Sequence, residues 1–250
     1  LIVFPMAGRS RRFTAAGYVG PKYRLLAHGR PLLWHAVHGF RDLFRDEVFL
    51  FASLAEDRAE GDVRAVALSC GLTRWHLVEL ERPTEGQADT VQQAIDAVDA
   101  SKEDPLTIFN IDTIHLRYAR PAFFDLHRID GYLETFHGLG EQWSFVVPAD
   151  GRGDRVSATT EKRRVSDECC TGLYYFRRVG DFREAVRLQA LGHPLAAGAG
   201  ERYVAPLFNL LISWGRDVRF DRIKSNRVVF SGIPAEYEAF RDGPWPVDDH

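Results

Sequence analysis

The chain has 250 residues and a mass of 28.3 kDa, with 45% hydrophobic and 12% aromatic residues, ample for a large buried core. A net charge of −3 gives no support for a general nucleic-acid or membrane-surface binder, so any cationic site is local. Three cysteines, Cys70 and the adjacent Cys169 and Cys170, exclude a disulfide framework or zinc site and read as reduced thiols of a cytoplasmic protein.

No stretch reaches the roughly 20 apolar residues that span a bilayer, and the opening run Ile2-Val3-Phe4 is too short for a signal-peptide core. A chain that opens on Leu1 rather than Met is expected to lack a short N-terminal extension. In chain order, strands are predicted over 1–5, 47–52, 75–79 and 106–110, with helices over 32–43, 58–70 and 88–100 between them. In the last helix Ala88, Val91, Ala94, Ile95 and Val98 keep the spacing of one buried face. Such alternation predicts right-handed crossovers and a mostly parallel sheet. Ligands of these sheets sit beyond the carboxyl ends of the strands, where Gly8 and Asp112 both fall. The second half predicts strands over 142–148 and 171–177, a polar turn over 149–154, and helices over 181–191 and 204–214. A short strand over 228–231, a closing helix over 235–240 and a frayed tail over 243–250 complete the chain. Without a repeat or a linker, the expectation is a single α/β domain over 1–242.

Chemistry concentrates in a few stretches. The first strand runs into Ala7, Gly8, Arg9, Ser10, Arg11 and Arg12, and Pro21-Lys22 follows about ten residues later. Small residues let backbone N–H groups approach phosphate oxygens, while Arg and Lys neutralise charge there. A strand-to-helix turn with solvated arginines is the plainer reading. Of 32 basic residues only Lys22, Lys102, Lys162 and Lys224 are lysines, so each raises the question of why a compact, flexible point charge was kept. Gly86 and Gln87 open a helix; the glycine permits close backbone approach and the glutamine offers a donor and an acceptor. Capping by Thr84 or Asp89 explains the same stretch. Asn110 and Asp112 close an apolar strand, where a carboxylate also serves to cap a turn. Later come Glu161-Lys162, then Gly172 within Thr171-Gly172-Leu173-Tyr174-Tyr175-Phe176, and Glu201 within the run to Asn209. Among nine histidines, neither His35 and His38 nor His115 has zinc-site spacing, and they read as packing residues.

Together these stretches resemble the sugar-nucleotidyltransferase superfamily (pyrophosphorylases and cytidylyltransferases), in which a Gly-x-Gly-Ser/Thr-Arg loop precedes Pro-Lys. The likeness spans roughly residues 2–240 and is strongest at 2–39 and 160–177. It implies a Rossmann-like, GT-A-like fold with a nucleotide-binding half over 1–115 and an acceptor-binding half over 116–242. By the same resemblance Ala7, Gly8, Arg9, Ser10 and Arg11 cradle a nucleoside triphosphate, with Gly86, Gln87 and Asn110 toward the nucleotide. Arg12, Lys22 and Lys162 are the catalytic cations, and Lys22 reaches the α-phosphate. Asp112 holds Mg²⁺; Glu161, Gly172 and Glu201 face a phosphorylated acceptor. Ser10 stands where the superfamily usually has Gly, which narrows the loop. Phe230 stands where many members place a second metal-binding Asp, two residues before Gly232-Ile233-Pro234.

The implied reaction is attack of a phosphorylated sugar or small alcohol on a triphosphate, with pyrophosphate released. The Met6-Ala7-Gly8 and Glu201–Asn209 patterns are similar to those of enzymes of capsule and surface-polymer synthesis. Two rival readings stand beside it. One is a glycosyltransferase of the same architecture using Asn110-x-Asp112, and the other is a non-catalytic nucleotide-binding module. Neither a nucleic-acid nor a membrane partner is expected. The base, the acceptor and the oligomeric state are not written in the residues.

Overall fold

The computed structural model describes residues 1–150, 153–197 and 200–246, and the chain divides into two compact units. The first comprises Ile2–Pro83, Phe109–Ala119 and the chain from Asn226 onward; the second comprises Leu1, Thr84–Ile108 and Arg120–Ser225.

In the first unit, Ile2, Val3 and Phe4 have no polar side-chain atom to keep wet, and they form the strand Ile2–Pro5. It pairs in parallel with Phe49–Leu54, which pairs in parallel with Trp75–Leu80. Every residue of Phe49–Leu54 is buried, as expected of a strand covered on both faces. Phe4 anchors this core, stacked on Phe51 at 5.5 Å and edge-on to Phe40 at 5.7 Å. Helices Leu32–His38 and Glu60–Cys70 supply the crossovers. The predicted helix over 32–43 stops at His38, because Gly39 lies against another backbone; a Cβ there would stand 2.6 Å from the His115 carbonyl oxygen. A single 3₁₀ turn, Arg41–Leu43, takes up the remainder.

Two late elements complete this unit. Val228–Phe230 pairs antiparallel with Thr113–His115, and helix Pro234–Asp242 follows, with proline at the start where a missing N–H costs nothing. Tyr237 and Phe240 of that helix pack with Phe13, Ala27, Leu32 and Ile114. In the tail expected to fray, Trp245 lies edge-on to His28 at 5.3 Å, while residues 247–250 fall outside the described residues.

The second unit is built mainly on antiparallel ladders. Ser144–Pro148 pairs with Val156–Glu161 and with Glu168–Phe176, and the latter also pairs with Gly131–His137. Val218–Arg222 then joins Gly131–His137 in parallel. Helices Gln87–Ala97, Val179–Ala190 and Leu207–Ser213 belong to the same unit. Asn209 clamps the third helix to a strand: its Oδ1 accepts the Thr159 N–H at 2.7 Å and its Nδ2 donates to the Thr159 carbonyl at 3.0 Å.

Three of these strands, Gly131–His137, Val156–Glu161 and Val218–Arg222, lie outside the strands predicted from the apolar pattern, although the family likeness at Thr160-Glu161-Lys162 implied a strand at the end of the second. Their pattern is masked by buried polar residues that find partners only after folding. Thr171 Oγ1 donates to Glu134 at 2.8 Å, and Thr135 Oγ1 donates to Glu168 at 2.8 Å. Glu168 also holds Arg222 and His137. Of the predicted turn over 149–154, residues 151 and 152 lie outside the described residues. The α/β, Rossmann-like class read from the sequence is borne out.

Candidate active site

In the first unit the chain leaves strand Ile2–Pro5 through Met6 and Ala7, both buried, and the Met6 N–H donates to the Ala52 carbonyl at 2.7 Å. Gly8 follows, exposed, with no atom within 4 Å of where a Cβ would stand. Its smallness is therefore not demanded by the fold. Ser10, expected to narrow the loop, instead adopts the left-handed backbone a glycine would take, with φ of 48°. Its carbonyl accepts the N–H groups of Phe13 and Thr14 at 2.8 and 3.1 Å, starting the short helix Arg11–Ala15. Its hydroxyl accepts the Lys22 N–H at 3.2 Å, tying the loop to the lysine twelve residues on. Arg9, Arg11 and Arg12 are exposed.

The loop is braced from behind. Phe13, Tyr18 and Tyr237 meet edge-to-face with centroids 5.5 to 6.0 Å apart, and Tyr18 donates to Glu238 at 2.6 Å. Sequence reasoning missed these braces, since Tyr18 and Glu238 are 220 residues apart.

Lys22 and Asp112 form the centre of this unit's site. The Lys22 Nζ stands 2.6 Å from Asp112 Oδ2, with the two side chains 19% and 24% exposed, sheltered yet reachable from solvent. Burial works to raise the Asp112 carboxyl, but the Lys22 charge and hydrogen bond, helped by Arg12, hold it below the ordinary carboxylate value. The ladder of Thr113–His115 with Val228–Phe230 brings a second segment to this point. Ser231 donates from both N–H and hydroxyl to the Asp112 carbonyl, at 2.8 and 3.1 Å. A Cβ on Gly232 would lie 3.2 Å from Asp112 Oδ2 and 3.6 Å from Glu236 Oε2. Glu236 Oε2 accepts the N–H groups of Gly232 and Ile233 at 2.9 and 3.3 Å. Burial pushes the Glu236 carboxyl up; those two N–H groups and Arg12 oppose the rise, and the charge of Asp112 adds to it. The Pro-x-Glu opening of a helix was the available signal for Glu236.

Asn110 sits two residues before Asp112, and its carbonyl accepts the Thr113 N–H at 3.4 Å. Among the described residues no group of three His, Cys, Asp or Glu converges as a metal cage. What is present suits a hydrated divalent ion instead, which needs only one or two carboxylates beside substrate phosphates and waters. The Lys22 ammonium on Asp112 and the side-chain-free space at Gly232 are a cation position and a cradle of that kind. The histidines pack: His35 Nε2 donates to the Ala27 carbonyl at 2.8 Å, and His38 stacks on Trp34.

In the second unit, Glu161, Lys162 and Glu201 gather around Tyr203. Lys162 adopts a left-handed φ of 52°, its Nζ donates to the Tyr203 hydroxyl, and that nitrogen lies 4.4 Å from the ring centroid. Glu161 accepts from the Ser144 hydroxyl. Burial pushes the Glu161 carboxyl up, Ser144 and Lys162 pull it down, and Glu201 adds to the rise. Ser144 carried no motif, and Tyr203 lay within the Glu201–Asn209 pattern without an assigned role. Gly172, with φ of 96°, sits where the Glu168–Phe176 ladder slips register between Cys170 and Tyr174.

Gly86 has a φ of 141°, and a Cβ on it would stand 2.6 Å from the Arg202 nitrogen and 2.7 Å from the Arg202 oxygen. The close approach anticipated at Gly86 is thus made by the Arg202 backbone, which bonds to Glu85 and Ala88 on either side. Gln87 begins the helix Gln87–Ala97. Beside it, a cavity of about 380 Å³ opens among Glu85, Gln189, His193, Glu201 and Arg202.

A family described as the MobA-like NTP transferase domain matches residues 2–120. A crystal structure of a nucleoside-diphosphate-sugar pyrophosphorylase from Vibrio cholerae is 38% identical, with a TM-score of 0.90, covering 97% of this chain and all of that one. A UDP-glucose pyrophosphorylase solved with UDP-glucose is 12% identical over 96% of each chain, with a TM-score of 0.75. The inositol-1-phosphate CTP transferase of T. maritima is 15% identical over 94% of this chain and 89% of that one, at a TM-score of 0.69. The last two share the fold. No curated protein compared with the chain matches it. Among the described residues no helix is long and apolar enough to cross a membrane.

Proposed function

The chain belongs to the family of MobA-like NTP transferases and sugar-nucleotide pyrophosphorylases and is a nucleotidyltransferase, and on that premise we propose that it activates a sugar phosphate with a nucleoside triphosphate. One observation carries this reading: the Lys22–Asp112 pair, backed by a glycine loop with open space beyond Gly8.

An oxygen of the acceptor phosphate forms a bond to the α-phosphorus, and the bond from that phosphorus to the bridging oxygen of pyrophosphate breaks. Pyrophosphate leaves with the electron pair. A phosphate monoester, with a second pKa of about 6, is already ionised at neutral pH, so no general base is required. The protein's task is to hold two anions together and offset their repulsion. Gly8, with Ala7, Arg9, Ser10 and Arg11, lets the triphosphate approach the backbone. Arg12 and Lys22 balance its charge, and Lys22 exchanges its carboxylate partner for the α-phosphate. Asp112 holds Mg²⁺, which when bound neutralises phosphate charge. Gln87 and Asn110 are assigned to the nucleotide, and Gly86 to the turn that precedes Gln87. Lys162 is assigned to the acceptor phosphate, with Glu161 and Glu201 to its hydroxyl groups and Gly172 to the space it needs; their grouping around Tyr203 supports this.

The name of the 38%-identical relative favours a sugar 1-phosphate as acceptor and a nucleoside-diphosphate sugar as product. We place that product in the supply of capsule or surface-polysaccharide precursors, and the enzyme in the cytoplasm. The test is a pyrophosphate-release screen of the four triphosphates and dTTP against phosphorylated sugars, polyols, choline and glycerate with Mg²⁺. Saturable pyrophosphate release with one pair is the expected result. Release of a nucleoside diphosphate from nucleotide sugars, with no pyrophosphate from any pair, would sink the reading in favour of a glycosyltransferase.

A further inference from the structure

We infer that Glu236 is the second carboxylate of the divalent-cation site that Asp112 opens, in place of an acid at Phe230; the inference rests on the nucleotidyl-transfer reading. Position 230 offers only a phenyl ring, held in the antiparallel ladder opposite Thr113. The turn that follows redirects the chain. Ser231 fixes it to the Asp112 carbonyl, Gly232 leaves its side-chain space empty, and helix Pro234–Asp242 returns Glu236 to the same point. From the position a Gly232 Cβ would fill, one oxygen of each carboxylate lies within 3.2 and 3.6 Å.

Two like charges facing one small, half-buried space repel each other unless a cation is shared between them. Lys22 supplies one positive charge on the Asp112 oxygen, and the exposed Arg12 a second that both carboxylates feel. A hydrated magnesium ion keeps several of its waters, so Glu236 can act on it directly or through one of them. Both N–H groups that Glu236 accepts meet Oε2, the oxygen nearest the Gly232 position, and neither meets Oε1. Its two N–H bonds give Glu236 a capping role as well, and the test must separate the two roles.

Glu236→Gln does so, because an amide oxygen accepts the same two N–H groups but brings no charge. Mn²⁺ alone is titrated into the full chain and the free ion is read by electron paramagnetic resonance, with thermal unfolding as control. The expected result is at least about a 10-fold weaker Mn²⁺ affinity with Tm nearly unchanged. Phe230→Asp added to Glu236→Gln should recover a good part of it. Asp112→Asn should abolish binding. If Glu236→Gln binds Mn²⁺ like the wild type while Asp112→Asn does not, the inference is overturned and the assignment of Asp112 survives. If neither change alters binding, or the wild type shows no saturable binding, both the inference and that assignment fail. Weaker binding that only follows a lower Tm marks Glu236 as a cap and overturns the inference.

Discussion

Gly8 and Gly86 look interchangeable in the sequence, since each sits in a polar loop just before a helix, but the folded chain gives them opposite reasons to exist. Gly8 has ordinary backbone geometry and open space where a Cβ would go. Gly86 has a left-handed φ, and the Arg202 backbone fills the space of its absent Cβ. The second glycine is demanded by the fold, whereas the first leaves room that nothing in its own unit uses. A glycine loop is therefore diagnosed by what its side chain would meet, and of these two glycines only Gly8 keeps open space at that position.

The sharpest test of that contrast is the cation the Gly8 loop holds. Lys22→Ala removes the charge assigned to the α-phosphate, and pyrophosphate release should fall by about 10²–10³ or more. The fold should survive, because only one half-buried ion pair is lost. Circular dichroism separates the two effects. Near-normal turnover by a folded Lys22→Ala protein would strip the loop of its assigned role.

The glycines themselves come next. Gly86→Ala forces a Cβ against the Arg202 backbone in a strained conformation, and should cost about 3 kcal/mol or more in denaturant unfolding. Gly8→Ala meets nothing, and stability should hold within about 1 kcal/mol or rise slightly as the unfolded chain loses freedom. The KM for the triphosphate should instead rise by about 10-fold, a loss of roughly 1.4 kcal/mol in binding. If Gly8→Ala unfolds the protein and Gly86→Ala does not, the contrast is backwards.

The same contrast governs what was legible beforehand. In the first unit, apolar runs such as Phe49–Leu54 declare themselves as buried parallel strands, and Gly8 and Asp112 fall at the strand ends that the rules of such sheets favour. Their partners were hidden, because Ser231 meets Asp112 across 119 residues and Glu236 arrives on the last helix. In the second unit the strand Gly131–His137 places Glu134 and Thr135 in the core, and its polarity makes sense only once Thr171 and Glu168 lie opposite. No window of the sequence contains that pairing. Ser10 shows a third kind of limit: it reads as an obstruction, and the structure turns its hydroxyl into a tie to Lys22.

Glu161 extends the contrast to the second unit, where a charge rather than a glycine is kept against the fold's preference. Burial raises its carboxyl, so the folded state binds a proton more tightly than the unfolded chain does. The ionised side chain then opposes folding above its folded pKa, and this cost fades as pH falls toward the ordinary carboxylate value. Glu161→Gln keeps an acceptor for Ser144 and loses the charge. It should raise Tm slightly at pH 7 to 8, with the gain shrinking toward pH 4.5, while turnover falls. A gain that grows on acidification would contradict the sign.

The smallest effect separates the two contributions at Ser10. Ser10→Ala keeps a Cβ in the left-handed conformation and deletes the acceptor for the Lys22 N–H, so about 1 kcal/mol of stability should go. Ser10→Gly deletes the same bond but relieves a backbone strain of about 1 kcal/mol, and its stability should match the wild type closely. Chemical denaturation of the three proteins side by side reads this directly. Equal loss in both variants would mean that the hydroxyl alone matters and the left-handed backbone costs nothing. Equal stability in all three would mean that the loop is held by its aromatic brace, Phe13 against Tyr18 and Tyr237, and that the Ser10 tie serves only to aim Lys22.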